Sequence, residues 1–177
     1  GLFRKTSTGW SSELGADVYA AAIDYSNSSV AYAMSGNPYR TTNGGASWDL
    51  VSNGIVGFGW ATAPLVMSPT NPATLYFATD RFHKSTNRGD SWTAISSFPS
   101  TVNWIAVKPT DDRTIYASTL GWKLYKSIDG GLNWNQTSFP YDWISQVVVD
   151  PVHPTNLYVA GGPNSGPHVW QSSNEGA

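Results

Sequence analysis

The chain has 177 residues, enough for one domain with an ample core. Its 10 basic and 12 acidic side chains leave a net charge of −2, which argues against nucleic acid or an anionic membrane as partner, and no apolar run approaches a bilayer span. There is no cysteine, hence no disulfide framework, while 9 Trp and 9 Tyr among Ser, Thr, Asn and Gly suit a neutral polar ligand such as a sugar, though strands use aromatics too.

Taken in order, residues 1–15 read as the tail of a repeat unit, with a strand over 2–5 and a degenerate turn holding Ser7, Gly9 and a displaced Trp10. The next unit, 16–60, predicts strands over 18–23, 30–34, 39–41 and 48–51. In 61–100 they fall at 65–67, 74–79 and 83–85, followed by a turn. In 101–143 they fall at 104–107, 114–118 and 124–127, followed by the same turn. The last unit, 144–177, has 146–149, 156–160 and 168–171. Pro69, Pro109 and Pro151 each end a first strand, because proline cannot continue a central ladder. Short, evenly spaced strands without helical periodicity mean an all-β chain.

One turn recurs in every unit: TTNGGASW, STNRGDSW, SIDGGLNW and SSNEGA. Its markers Asn43, Asn87, Asp129 and Asn174 are 44, 42 and 45 residues apart. A fixed period of this size with four strands per unit is that of a β-propeller blade, four-stranded and antiparallel. The Asp or Asn is expected to accept backbone N–H groups one or two residues ahead. Gly45, Gly89, Gly131 and Gly176 supply a positive φ. Trp48, Trp92 and Trp134 bury a ring whose N–H can find a partner. These residues read as structural, and Arg88-Gly89-Asp90 reads as turn chemistry rather than an adhesion signal. About four blades are present, and both ends fall at third strands, so a closed ring calls for further blades or chains.

The pattern Ser-x-Asp-x-Gly-x-x-Trp resembles the Asp-box, or BNR repeat. The stretches over 30–48, 105–119 and 147–162 are similar to blades of the family-74 glycoside hydrolases that cleave xyloglucan. Sialidase-type and sortilin-type propellers are more distant; Phe3-Arg4 lacks the continuation a sialidase needs, and arginines are few. The resemblance implies a turn between strands three and four of each blade, and a ligand site on the opposite rim. It further implies a secreted or cell-surface protein acting on or binding a β-glucan.

That opposite rim takes the segments that break the repeat. They carry Phe58, Trp60, Phe98, Phe139, Tyr141, Asp142 and Trp143 between blades, and Asp80, Arg81, Phe82, His83, Trp122, Lys123, Asn164 and His168 between second and third strands. Trp60, Trp122 and Trp143 are the best candidates to stack on a glycan, with Arg81, His83 and Tyr141 beside them. Packing between blades is the competing reading for any single ring. Glycoside hydrolysis needs two carboxyl groups. Asp80 follows Leu75–Thr79 in a context resembling the family's catalytic Tyr-Ala-Arg-Thr-Asp, although Arg81-Phe82 replaces the expected Ile-Gly; Asp142 is the second acid. Arg81 is an alternative ion partner for Asp80, and Asp24 and Asp150 read as turn formers. No cofactor is called for, and His83, His153 and His168 have no metal-ligand spacing. Three functions stay open: a β-glucan hydrolase, a non-catalytic glycan- or protein-binding propeller, and a structural part of a larger extracellular assembly.

Overall fold

The computed structural model describes residues 2–7, 9–14, 17–56, 64–140, 143–161 and 168–176. Within them every regular element is a strand. β1 (Leu2–Thr6) and β2 (Gly9–Leu14) form a hairpin. Three four-stranded antiparallel sheets follow, each a simple meander. The first holds β3 (Ala20–Ile23), β4 (Ala31–Ser35), β5 (Asn37–Thr41) and β6 (Asp49–Leu50). The second holds β7 (Leu65–Met67), β8 (Leu75–Ala78), β9 (Arg81–Ser85) and β10 (Thr93–Ser97). The third holds β11 (Val102–Lys108), β12 (Asp111–Thr119), β13 (Leu124–Ser127) and β14 (Asn135–Gln136). A last sheet pairs β15 (Ile144–Val149), β16 (Leu157–Gly161) and β17 (His168–Ser172).

The first strands β3, β7, β11 and β15 contact one another in sequence, so the sheets fan around a common axis as propeller blades. The second strands β8 and β12 lie between two neighbouring blades and are buried on both faces. This is why β8 reads Leu-Tyr-Phe-Ala without a polar residue, whereas β3 alternates half-buried with exposed. Three apolar layers fill the spaces between blades. Tyr32, Met34, Leu75 and Phe77 lie in the first, Tyr76, Phe82, Ile105 and Ile115 in the second, and Tyr116, Ile144, Val147 and Leu157 in the third. Burying one such side chain contributes about 1.5–3 kcal/mol.

The recurring turns join third to fourth strands. Their chemistry differs from the expected one. The Ser or Thr hydroxyl is the centre: Thr41, Ser85, Ser127 and Ser172 each accept the N–H of the glycine four residues on, at 2.9 Å. The same hydroxyls donate to Asn43, Asn87, Asp129 and Asn174. Asn43, Asn87 and Asp129 then reach four residues ahead, not one or two, to the N–H of Ser47, Ser91 and Asn133. These bonds, the Asn133 N–H foremost, hold the Asp129 carboxyl down to about 2. Two successive residues take a positive φ, so Arg88 (59°) and Glu175 (60°) sit in the left-handed region ahead of their glycines. Trp92 Nε1 donates to Val51 O (2.7 Å) and Trp134 Nε1 to Gly131 O (3.0 Å). Trp48 Nε1 is buried without a hydrogen-bond partner among the described residues, contrary to expectation.

Candidate functional site

At the end of the sheets opposite these turns lie the connections between second and third strands and the segments entering the first strands. The segment 98–102 stitches two of them together. Phe98 N donates to Asp80 O (2.8 Å), Val102 N to Thr79 O (2.7 Å) and Leu120 N to Thr101 O (2.7 Å). The Asp80 connection of the second blade and the Leu120–Trp122 connection of the third are thereby fixed to one linker. On this rim Asp80 and Arg81 are exposed, and Leu120, Trp122 and Trp143 expose 49%, 40% and 41% of their surface. Such exposure of large apolar side chains on one rim favours a ligand that stacks.

Trp122 is the most informative residue of the rim. Its φ is 61°, its N–H donates to Thr119 O (2.9 Å), and its ring stands in solvent. A bulky residue in the left-handed region costs roughly 1–2 kcal/mol. Such strain persists where something other than stability selects it. Trp143 is set by a close backbone approach: a Cβ on Gly161 would lie 1.9 Å from Trp143 O, so only glycine lets β16 pass the start of β15.

Asp80 accepts a hydrogen bond from Thr79 Oγ1 (2.9 Å), not from Arg81. Asp80 is thus exposed without the ion pair to Arg81 considered for it. His83 is placed differently from the expectation that it meets a ligand. It is 1% exposed, stacks on Phe77 at 4.4 Å, and sets Nε2 3.2 Å from Val56 O. Burial pushes its imidazole below the usual value, against the opposing pull of the nearby carbonyls and Asp80. Phe82 and Phe98 are likewise core residues, packed on Trp134 at 5.0 and 4.8 Å. Phe82 is drawn inward because β9 begins at Arg81, two residues before the expected strand, and strand alternation then turns it into the blade interface. Phe58, Trp60, Tyr141, Asp142 and Asn164 lie outside the described residues.

Asp17 was not among the expected site residues. It is exposed and precedes β3 on this same rim, where Tyr19 OH donates to its Oδ2 (3.4 Å) and Tyr19 N donates to Met34 O. The phase of the repeat held the signal, since 16–19 correspond to the entry segments of later blades. The rim thus combines rings with carboxylates and an arginine, a set suited to holding a polyhydroxylated chain.

No protein-family model matches the chain. A curated xyloglucanase of a Paenibacillus species is 31% identical over 100 residues, covering 54% of this chain and 10% of the relative. Among solved structures, an ancestral GH74 enzyme is similar with a TM-score of 0.74 and 24% identity, over 92% of this chain and 23% of that one. The GH74 xyloglucanase from Xanthomonas campestris gives 0.70 and 17%, over 93% and 31%. YCF48 from Cyanidioschyzon merolae gives 0.64 and 15%, over 92% and 56%. The chain therefore spans about a tenth of the curated relative and under a third of either GH74 structure. These likenesses and the sheet topology make the chain a run of β-propeller blades, similar in fold to GH74 xyloglucanases.

Proposed function

We propose that these blades belong to an extracellular carbohydrate-active propeller that acts on or binds a β-glucan such as xyloglucan, with the recurring turns as its Asp-boxes. The observation that carries this reading is Trp122, held in a strained backbone conformation with its ring exposed on the rim that presents Asp80. The partial identity to a curated xyloglucanase supports the substrate class. Trp122 and Trp143 are the stacking platforms, with Arg81 beside them. Asp80 is one of the two carboxyl groups hydrolysis requires; Asp17 or Asp142 is the second.

The test is release of reducing ends from xyloglucan, measured beside binding. Asp80→Asn is expected to abolish release while binding persists, and Trp122→Ala to weaken binding. No release from any β-glucan together with no binding sinks the reading. Binding without release selects a non-catalytic glycan-binding propeller, the second reading, which the exposed rings of Trp122 and Trp143 favour.

A further inference from the structure

Two joints between blades share one socket among the described residues. Its parts are the residue ending the first strand, a tyrosine of the second strand, and the third-strand residue paired with that tyrosine. What enters is the left-handed residue before the glycine in the next blade's turn. In the first socket Tyr32 OH and Arg40 Nη1 donate to the carbonyl of Arg88 (3.1 and 2.8 Å), and Asp24 takes the Arg88 guanidinium. At the third joint, Tyr116 OH and Lys126 Nζ donate to the carbonyl of Glu175 (3.0 and 3.1 Å), and its carboxylate takes Lys108 on one oxygen (2.5 Å) and Lys126 on the other (3.1 Å). The second joint is built differently: Tyr76 OH donates to Asp112 O and Ser68 Oγ to Asp112 Oδ2 (both 3.3 Å) at the start of β12, while Lys84 lies over the Tyr76 ring. In the two matched sockets an acid meets a base and a base meets an acid.

The last blade carries a fourth set: Asp150, Tyr158 and Gln171, with Tyr158 paired to Gln171 in register as Tyr116 is to Lys126. Asp150 Oδ1 accepts the N–H groups of Val152 and His153, as Asp24 Oδ1 accepts that of Ser26. Its other oxygen is 3.7 Å from His153 Nδ1. Gln171 Nε2 donates to Tyr158 OH (3.3 Å), which leaves the phenol proton for a further acceptor. Val148 and Val169 on this blade are 42% and 71% exposed.

We infer that Asp150, Tyr158 and Gln171 form a docking socket for a Ser/Thr-x-Asp/Asn-Arg/Lys-Gly turn of another blade, the basic side chain seated on Asp150 and its carbonyl on Tyr158 and Gln171. The 41–48 turn of a second copy is not the occupant, because it offers Gly44 where the cation is needed. STNRGDSW has the right residue, but its arginine is already on Asp24. The socket thus selects a blade of different sequence with a basic turn. This holds whichever ligand the opposite rim takes.

The test uses the whole labelled chain and two probes: a disulfide-closed hairpin carrying STNRGDSW, and the same hairpin with glutamate replacing the arginine. The arginine hairpin is expected to shift the amide signals of Asp150, Tyr158 and Gln171. The glutamate hairpin should bind at least about tenfold more weakly. Asp150→Lys should reverse the preference. Absence of shifts with the arginine hairpin, equal affinity for both, or a preference unchanged by Asp150→Lys overturns the assignment. A second arm acts within the chain: Lys108→Glu with Glu175→Lys should be more stable than either single variant. A double variant no better than the singles overturns the pairing rule itself.

Discussion

The Arg88 guanidinium donates to Asp24 Oδ2 across 64 positions of sequence, and the Asp24 carboxylate that receives it is wholly buried. Burial pushes that carboxyl up. The hydroxyl and N–H of Ser26 together with Arg88 outweigh it and hold the group below the ordinary range. Arg88→Ala leaves the carboxylate inside with Ser26 alone. It is expected to lose about 1–3 kcal/mol in urea unfolding, with Asp24→Asn recovering part of that in the double variant. Equal stability of Arg88→Ala and the native chain would show the pair to be incidental.

Stability should depend on pH in two separate windows. The His83 imidazole lies below its unfolded value of 6.5. Under pH 6.5 the unfolded chain therefore binds more protons, so stability is full above that value and falls as the pH drops through the window. His83→Phe, which keeps a ring on Phe77, should remove this slope. At lower pH, Asp129 and Glu175 have depressed values, the latter through its bond from Lys108 first. Their contribution is present above their unfolded values near 3.8 and 4.5 and is lost on acidification, for Asp129 down to about 2. Urea midpoints at stepped pH separate the two windows.

Neighbouring glycines of one turn should respond unequally to alanine. At Gly131 the φ is 94° and a Cβ would lie 2.5 Å from the Phe82 ring; at Gly130 the φ is 77° and the nearest atom is Lys84 Nζ at 3.6 Å. Gly130→Ala should cost only the backbone part, about 1–2 kcal/mol. Gly131→Ala should add roughly 1–3 kcal/mol of overpacking against the aromatic layer. Thermal unfolding of the two variants gives the comparison, and equal losses would mean that Phe82 yields freely.

Trp122→Gly separates packing from ligand contact. Glycine relieves the positive φ, so thermal stability should hold or rise by up to about 1 kcal/mol while β-glucan binding drops. A loss of several kcal/mol would instead mark Trp122 as a core ring.

Much of the blade architecture was legible because it repeats. Leu65–Met67 and Leu124–Ser127 match their expected strands to the residue, since Pro and the Ser-x-Asp turn bound them. Strands ran longer where nothing in the local sequence stops pairing. β12 starts at Asp111, so the turn expected over 108–112 shrinks to Pro109-Thr110. The candidate site was less legible. Phe82 and Phe98 sit in loops by sequence and His83 at the first residue of an expected strand, yet all three turn inward, and their direction depends on a neighbouring blade that local pattern does not contain. Trp122 and Trp143 were picked out by their polar and glycine surroundings and both are exposed, but the strain at Trp122 belongs to backbone geometry alone. The joints between blades were missed for the same reason. Asp24 and Arg88 are far apart in sequence, and each looks complete as a turn residue.

Two grips between blades point the same way: a tyrosine and a cation of one blade close on the turn of the blade that follows. An array coupled only to nearest neighbours in this manner has a direction. Loss of the last blade strips Lys108 and Lys126 of their partner but leaves the Arg88 turn clasped. Loss of the first frees the Arg88 turn, whose fold is still closed by Ser85. Opening should therefore travel unequally from the two ends, like a zip whose teeth are hooked on one side only. Amide exchange at Gly89 and Gly176 would read its sense.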